Sequence, residues 1–388
     1  MKYNQIASAL NNTLLPNILG EGTIIADDLS NIVELGKSLA NATTEDFKNY
    51  TQEFCARVLD IWMDERVFER HINNIYRDYA EYGGIVQRIV SGLSEVSEDE
   101  SRNLENGTTY NQDVYKGFDF NNRIYTEDCG FMLDWSVPNK MWEEAFSSPV
   151  GLAKFVGYIT NRADQTVNAN VFATELAILR QLICINASGR IKLLKIYNDT
   201  YNSGEGATRL TAQEARTNAA FLRWAVQQIM LGYKSLRDIS ALNNDGSVVT
   251  WCPEEDINIT MLTAFASDIK VNMQSDVYHN DLVDIAKNNY EEINFWQNRG
   301  TQKLPDISAC GEIKQTTGAG TAAEATTHVE NCVAVIFDKY SCGMTNFAEE
   351  VTSHDNARGR FRNYFRFVSG HKYVDPRMGA IVYTLEDE

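Results

Sequence analysis

At 388 residues, 44% hydrophobic and 23% charged, the chain has an ordinary globular composition, with room for two or three packed lobes or one elaborated domain. A formal net charge of −18 sets the surface against a phosphate backbone and speaks against a general nucleic-acid binder; ordinary solvation of a soluble surface accounts for it equally well. No apolar run approaches the roughly 20 residues of a bilayer span and Met1 to Leu10 holds no signal-peptide core, so the expectation is a protein made in the cytosol. Seven cysteines (Cys55, Cys129, Cys184, Cys252, Cys310, Cys332 and Cys342) are scattered without a CxxC pair, which points to small core residues of a reduced protein and away from zinc or a disulfide framework.

Residues 1 to about 42 are polar and read as an extended arm with a short helix near Asp27–Leu39. A helix is expected from Thr44, where Phe47, Tyr50, Phe54, Val58 and Ile61 recur at spacings of three and four. Ser94 to Asn106 carries Glu95, Glu98, Asp99, Glu100 and Glu105 with almost nothing apolar, so it cannot bury a core of its own. Strand-like runs flank it, Gly84–Val90 and Asp113–Leu133, the second rich in Tyr and Phe. Together they describe a long two-stranded excursion with an acidic tip, which needs a surface to lie on, such as another subunit.

Ser148-Pro149 is a helix start, a capping residue followed by proline in the first turn. The helical pattern continues from Leu152 through Val167 and Leu176 to Ile183 without an interior proline, giving a beam of roughly 50 Å unless it breaks near Asn168–Asn170. Thr211-Ala-Gln-Glu214 matches a capping box, with Leu222, Val226, Ile229, Met230 and Tyr233 as the apolar face of the helix it opens. Short strands are expected at Ser247–Trp251 and Ile257–Ala264 and a helix at Asp281–Ala286, while Thr-, Gly- and Ala-rich Gly311–His328 reads as a loop. Near the C-terminus, Phe361, Asn363, Phe365 and Phe367 alternate with Arg362, Tyr364 and Arg366, a two-faced strand, followed by strands at Val374 and Ala380–Tyr383.

Motifs with specific chemistry are missing: there is no GxSxG, HExxH, GxxxxGK[ST] or GxGxxG. Gly318-Ala-Gly320 and Gly204-Glu-Gly206 are bare GxG pairs of flexible loops, and the five histidines, His71, His279, His328, His354 and His371, form no i, i+4 pair. Adjacent carboxylates (Glu143-Glu144, Glu254-Glu255, Glu291-Glu292) are expected on solvated faces of a chain with 53 acidic residues. No catalytic, cofactor-binding or metal-ligating residue is assigned. A carboxylate-using cytosolic hydrolase stays open as an alternative, since its acid pair would come from distant parts of the chain. Arg358, Arg360, Arg362 and Arg366 suit salt bridges to an acidic segment better than phosphate binding.

Three local patterns, in this order and spacing, carry a family resemblance. Met132-Leu133-Asp134-Trp135 leads through Phe146 into the helix Gly151–Leu182; Trp251-Cys252-Pro253-Glu254-Glu255-Asp256-Ile257-Asn258-Ile259 precedes Ile269-Lys270-Val271 and Asp281-Leu282-Val283-Asp284; and Ile336-Phe337-Asp338-Lys339-Tyr340 precedes Asn356-Ala357-Arg358-Gly359-Arg360 and Asn363-Tyr364-Phe365. From about residue 40 onward the chain resembles the major capsid proteins of small short-tailed phages with protein-primed genomes, the Picovirinae and relatives, and the Hong Kong 97-like fold of phage and herpesvirus shells.

The resemblance implies an α+β fold: residues 1–80 as N-terminal arm and first P-domain elements, 81–136 as the E-loop hairpin, 137–190 as P-domain with spine helix, 191–345 as A-domain, and 346–388 as returning P-domain strands. It implies a virion protein, assembled in the host cytoplasm into hexamers and pentamers of an icosahedral shell. Such a shell encloses double-stranded DNA without sequence-specific binding and without a membrane, and portal, scaffolding or head-decoration proteins are its further partners. Acidic inner walls would let packed DNA move. Glu98, Asp99 and Glu100 are expected to meet a basic surface of a neighbouring subunit, with Arg358, Arg360, Arg362 and Arg366 as the counterpart. The acidic tip has no clear counterpart in the family pattern, and the immunoglobulin-like domain of some relatives is not seen after the last strand. Another phage structural protein, a portal or tail subunit, is the second alternative.

Overall fold

The computed structural model describes residues 74–79, 86–93, 105–108, 117, 120–145, 149–186, 190–204, 206–240, 242–243, 249–274, 289–297, 310–317, 325–356 and 360–387. The expected arm, the helices at Asp27–Leu39, Thr44 onward and Asp281–Ala286, and most of the acidic tip lie outside these residues.

In chain order, β1 (Tyr76–Tyr79) and β2 (Val86–Ser91) precede β3 (Phe120–Tyr125), β4 (Glu127–Asp128) and β5 (Phe131–Pro138). The run Asp113–Leu133, expected as one strand, is thus divided within its described part. β3 pairs with β2, whereas β4 and β5 both pair with one strand 223 to 245 residues further on, and the chain changes partner at Thr126. Helix α1 (Asn139–Ala145) then leads to α2, Pro149–Ile185, an unbroken 37 residues or about 55 Å. Asn168 to Asn170 stay helical, and Pro149 takes the first helical position, where its missing N–H costs nothing.

β6 (Arg190–Lys192) and α3 (Leu193–Tyr201) follow. The capping box is present, with Thr211 and Glu214 each accepting from the other's backbone, but the helix it opens, α4, spans only Ala212–Ala215. A second start at Asn218, whose side chain accepts from the N–H groups of Ala220 and Phe221, opens α5 (Ala219–Arg237). The expected apolar face belongs to α5, where Leu222, Val226 and Ile229 are buried. A single 3-10 turn, Glu254–Asp256, precedes β7 (Ile257–Leu262), and α6 (Thr263–Gln274) follows, a helix the sequence patterns did not single out.

After β8 (Tyr290–Ile293), the stretch expected as a loop forms two paired strands, β9 (Ile313–Thr317) and β10 (Ala325–Val329). Its four paired threonines are β-branched and favour extended backbone, a preference that outweighed the glycines between them. Asn331, with φ +48°, turns the chain from β10 into β11 (Cys332–Asp338). β12 (Cys342–Asp355), β13 (Phe361–Val374) and β14 (Ala380–Thr384) complete the fold, which is α+β as expected.

The chain divides into two compact units, and the division falls inside α2, β12 and β13. One contains Cys129–Ala173 and Asn346–Gly370. In it β5 and β13 run antiparallel from Phe361↔Pro138 to Val368↔Phe131. The Cys129 N–H donates to Gly370 O at 2.9 Å, the Asn139 N–H to Arg360 O at 3.1 Å, and Asn356 closes the β12–β13 turn through Phe361 O at 3.0 Å. Val156, Ala163, Val167 and Val171 form the buried stripe of the first part of α2.

The other unit contains His71–Asp128, Thr174–Thr345 and His371–Glu388. Its centre is a five-stranded mixed sheet in the order β6-β14-β11-β7-β8, so a strand from the very end of the chain sits beside strands 50 to 190 residues earlier. β7, β11 and β14 are buried along their whole length, which requires cover on both faces and explains the near-continuous apolar run Cys332–Phe337. α5 packs on β11 and β14, and α6 packs on α5 and β7. Gly232 of α5 is needed for that approach, since Tyr383 of β14 lies against it and donates its hydroxyl to Gln228 O at 3.2 Å.

Candidate assembly surfaces

The β2–β3 hairpin has two unlike faces. Val86, Arg88, Val90, Asn121, Arg123 and Tyr125 share one, and Gln87, Ile89, Ser91, Phe120, Asn122 and Ile124 share the other, by the register Val86↔Tyr125 to Ser91↔Phe120. The first face is fastened to the turn between β13 and β14. Arg377, fully buried, donates through Nη1 to Asn121 O at 2.6 Å and Asn121 Oδ1 at 3.0 Å, and through Nη2 to Arg88 O at 3.3 Å, so it grips the backbone of both strands. Asp375 orients it, accepting from Nε at 2.8 Å and Nη2 at 2.6 Å with neither side chain exposed. Arg88 adds a second cation 3.8 Å from Asp375, donates to Tyr340 O at 2.8 Å and Tyr373 Oη at 3.1 Å, and lies over both tyrosine rings. Burial by itself would raise the Asp375 carboxyl; the hydrogen bonds and charge of Arg377, with Arg88 behind them, outweigh it and hold the group below the ordinary carboxylate value. No motif in the sequence marked this clasp.

Of the acidic triplet, Glu98, Asp99 and Glu100 all lie outside the described residues, as does Arg358. Arg360 is exposed at the start of β13. Arg362 and Arg366 are turned inward, at 5% and 1% exposure, and Arg366 is paired with Asp164 of α2 at 2.9 Å. The alternation read from Phe361 to Phe367 is therefore real, but its arginine and tyrosine side is the covered one. Tyr364, on that side, stacks on Trp135 of β5 with centroids 5.6 Å apart, and Phe367 is left on the open side. A buried guanidinium does not reach another subunit, so Arg362 and Arg366 drop out of the expected contact set.

The residues considered for chemistry are dispersed. Glu254 is paired loosely with Arg237 at 3.6 Å, and Glu292 binds Lys270 at 2.6 Å and the Tyr290 hydroxyl at 3.0 Å. His328 lies between Glu312 and Glu330 at 3.1 and 3.4 Å. Gly204 and Gly206, the latter with φ +87°, make a turn closed by the Ala207 N–H. Among the described residues no group of three or more His, Cys, Asp or Glu could hold a metal ion, and no helix is long and apolar enough to cross a membrane. The six described cysteines are thiols, and all but Cys129 are buried. Burial pushes the Cys184 thiol up to about 11 and the Cys342 thiol up to about 12, far from the thiolate a nucleophile needs.

The fold has counterparts among solved phage structures. A chain in the head-fibre and inner-core structure of bacteriophage P68 is 12% identical, with 83% of this chain and 87% of that one covered and a TM-score of 0.50, a likeness of fold. The capsid structure of Staphylococcus phage Andhra gives 12% identity, 83% and 87% coverage and a TM-score of 0.46. The capsid structure of the cyanophage P-SCSP1u gives 13%, 84% and 92% and 0.46. No protein of curated function matches the sequence. The sequence pattern of one family runs through residues 11–384, nearly the whole chain, and that family is a structural one other than a portal or tail subunit. The chain belongs to the Phi29-like phage major capsid protein family and forms the phage capsid shell.

Proposed function

We propose that copies of this chain assemble as hexamers and pentamers into an icosahedral head that encloses double-stranded DNA, in the virion, after assembly in the host cytoplasm. The observation that carries the reading is the family match over residues 11–384. In this reading the chain is no enzyme: its free energy of action is that of interfaces repeated around the shell. Residues 1–80 serve as arm and first P-domain elements, 81–136 as E-loop, 137–190 as P-domain with α2 as spine helix, 191–345 as A-domain and 346–388 as returning P-domain strands. The hairpin lies across an adjacent subunit and the arm wraps beneath another. Glu98, Asp99 and Glu100 at the hairpin tip meet Arg358 and Arg360 of a neighbour. Portal and scaffolding or head-decoration proteins are further partners, and the net charge of −18 keeps enclosed DNA from adhering to the wall.

Electron microscopy of the chain expressed alone and with the proteins encoded beside it tests the reading. Closed shells built of hexamers and pentamers are expected; monomers or small oligomers in both preparations would overturn it. Reversing the charge of Glu98, Asp99 and Glu100 together is expected to impair shell formation with the unassembled fold intact. Normal shells from that variant would remove the triplet from the contact set.

A further inference from the structure

An open cleft of about 630 Å³ lies at the β6 end of the five-stranded sheet, between β6, the loop before α4, the β10–β11 turn and the residues after β14. All but one of the basic side chains lining it face carboxylates. Lys192 pairs with Glu386 at 3.1 Å, Arg209 with Asp199 at 2.9 Å and Asp387 at 2.7 Å, and His328 faces Glu312 and Glu330. Arg190, half-buried on β6, has neither an ion pair nor a side-chain hydrogen bond among the described residues.

The Arg190 Nε is sealed from solvent without an acceptor, whereas Nη1 and Nη2 are not sealed, and the side chain lines the cleft. On the protein side its titratable neighbours are the thiols of Cys184 and Cys332, which burial keeps protonated and neutral. A guanidinium stays charged, so nothing in the interior balances it, and Glu386 is committed to Lys192. A half-buried cation in this position calls for an anion from outside the chain.

The other groups of the cleft decide which kind. Glu330, Glu386 and Asp387 line it too, so a polyanion or a phosphate dianion would place like charges side by side. One carboxylate carries the single charge that Arg190 lacks, and its two oxygens match Nη1 and Nη2 in a planar pair of hydrogen bonds. That group fills a small part of the cleft. The rest has room for the chain that bears it, with the Lys192–Glu386 and Arg209–Asp387 pairs as polar contacts for a backbone.

We propose that this cleft binds an acidic polypeptide segment, with one Asp or Glu side chain of the segment held by Arg190. All of its lining residues belong to one unit, so the site does not depend on the shell reading.

The test uses the dispersed full-length chain and the capped tripeptide acetyl-Ala-Glu-Ala-amide, followed by saturation-transfer NMR. The glutamine tripeptide, acetate, inorganic phosphate and a short oligothymidylate are compared at equal ionic strength. Signal on the glutamate methylenes with Kd of about 1 mM or tighter is expected, and binding at least about tenfold weaker for the glutamine peptide. Acetate should bind more weakly than the glutamate peptide, and Arg190→Gln should abolish binding of both. Arg237→Gln, which changes an exposed arginine outside the cleft, should leave them unchanged. Equal binding of the two peptides, or tighter binding of phosphate or oligothymidylate, would overturn the proposal. Acetate binding as tight as the peptide would overturn the polypeptide occupant. A second measurement needs no substitution: phenylglyoxal labelling of Arg190 in the wild type, mapped by mass spectrometry, should slow severalfold with the glutamate peptide and not with the glutamine one. Labelling that neither peptide changes overturns the site even if Arg190→Gln fails to fold.

Discussion

Arg366 on β13 donates to Asp164 on α2 at 2.9 Å, with 1% and 11% of the two side chains exposed. The pair joins a strand near the C-terminus to the long helix more than 200 residues earlier, in the interior of one unit. It turns what reads as a basic, solvent-facing strand into part of a core.

Removing one partner of such a pair leaves the other charged and buried. Arg366→Ala is expected to lower the stability of the unassembled chain by about 3–5 kcal/mol. Arg366→Met with Asp164→Leu should recover most of that loss, since apolar side chains of similar size replace both charges. Urea unfolding midpoints decide it, and a single variant as stable as the double would remove the pair from the core's energetics.

The Arg377 clasp carries a pH signature. The Asp375 carboxyl is held below its unfolded value, so the stability it contributes is complete above the ordinary carboxylate range, near about pH 4, and is lost as pH falls through the depressed folded value. The stability difference between wild type and Asp375→Asn is expected to be constant from about pH 7 to about pH 5 and to shrink only in stronger acid. Shrinkage already between about pH 7 and pH 6 would place another group in control.

The two helix starts at Thr211 and Asn218 can be separated by the sign of one substitution. Each caps its own helix, so Thr211→Ala and Asn218→Ala should each destabilise by about 1 kcal/mol. Were one helix to run through from Thr211, Asn218 would be interior, and alanine there would stabilise by a few tenths of a kcal/mol, up to about 0.7. Thermal unfolding of Asn218→Ala distinguishes the two.

A methyl group on Gly232 would overlap Tyr383 Oη and stand 3.3 Å from the Ile381 side chain. Gly232→Ala is expected to cost about 1–3 kcal/mol by overpacking, despite alanine's better helix propensity. Adding Tyr383→Phe removes the closest atom, leaves Cζ at 3.2 Å, and should restore part of the loss. A Gly232→Ala variant as stable as wild type would mean that α5 and β14 separate at no cost.

Much of the architecture was written in local sequence. Pro149 and the proline-free run to Ile185 determined the long helix, the Thr211–Glu214 box determined a helix start, and the two faces of β13 followed from strict alternation. The order of three short patterns pointed to the capsid family before any coordinate. Local patterns did not say which face of β13 is covered, because a period of two defines two faces and is silent on which one meets α2. Arg362 and Arg366 have long apolar stems that pack well once a carboxylate such as Asp164 is brought to them, and only the tertiary fold brings it. The clasp of Arg377 on the hairpin joins residues more than 250 positions apart, and the threonine-rich hairpin β9–β10 depends on pairing rather than on composition. Sequence determined the elements and the family; tertiary structure decided which of their faces are spent inside the chain and which remain for a neighbour, because burial belongs to the partner that covers a surface.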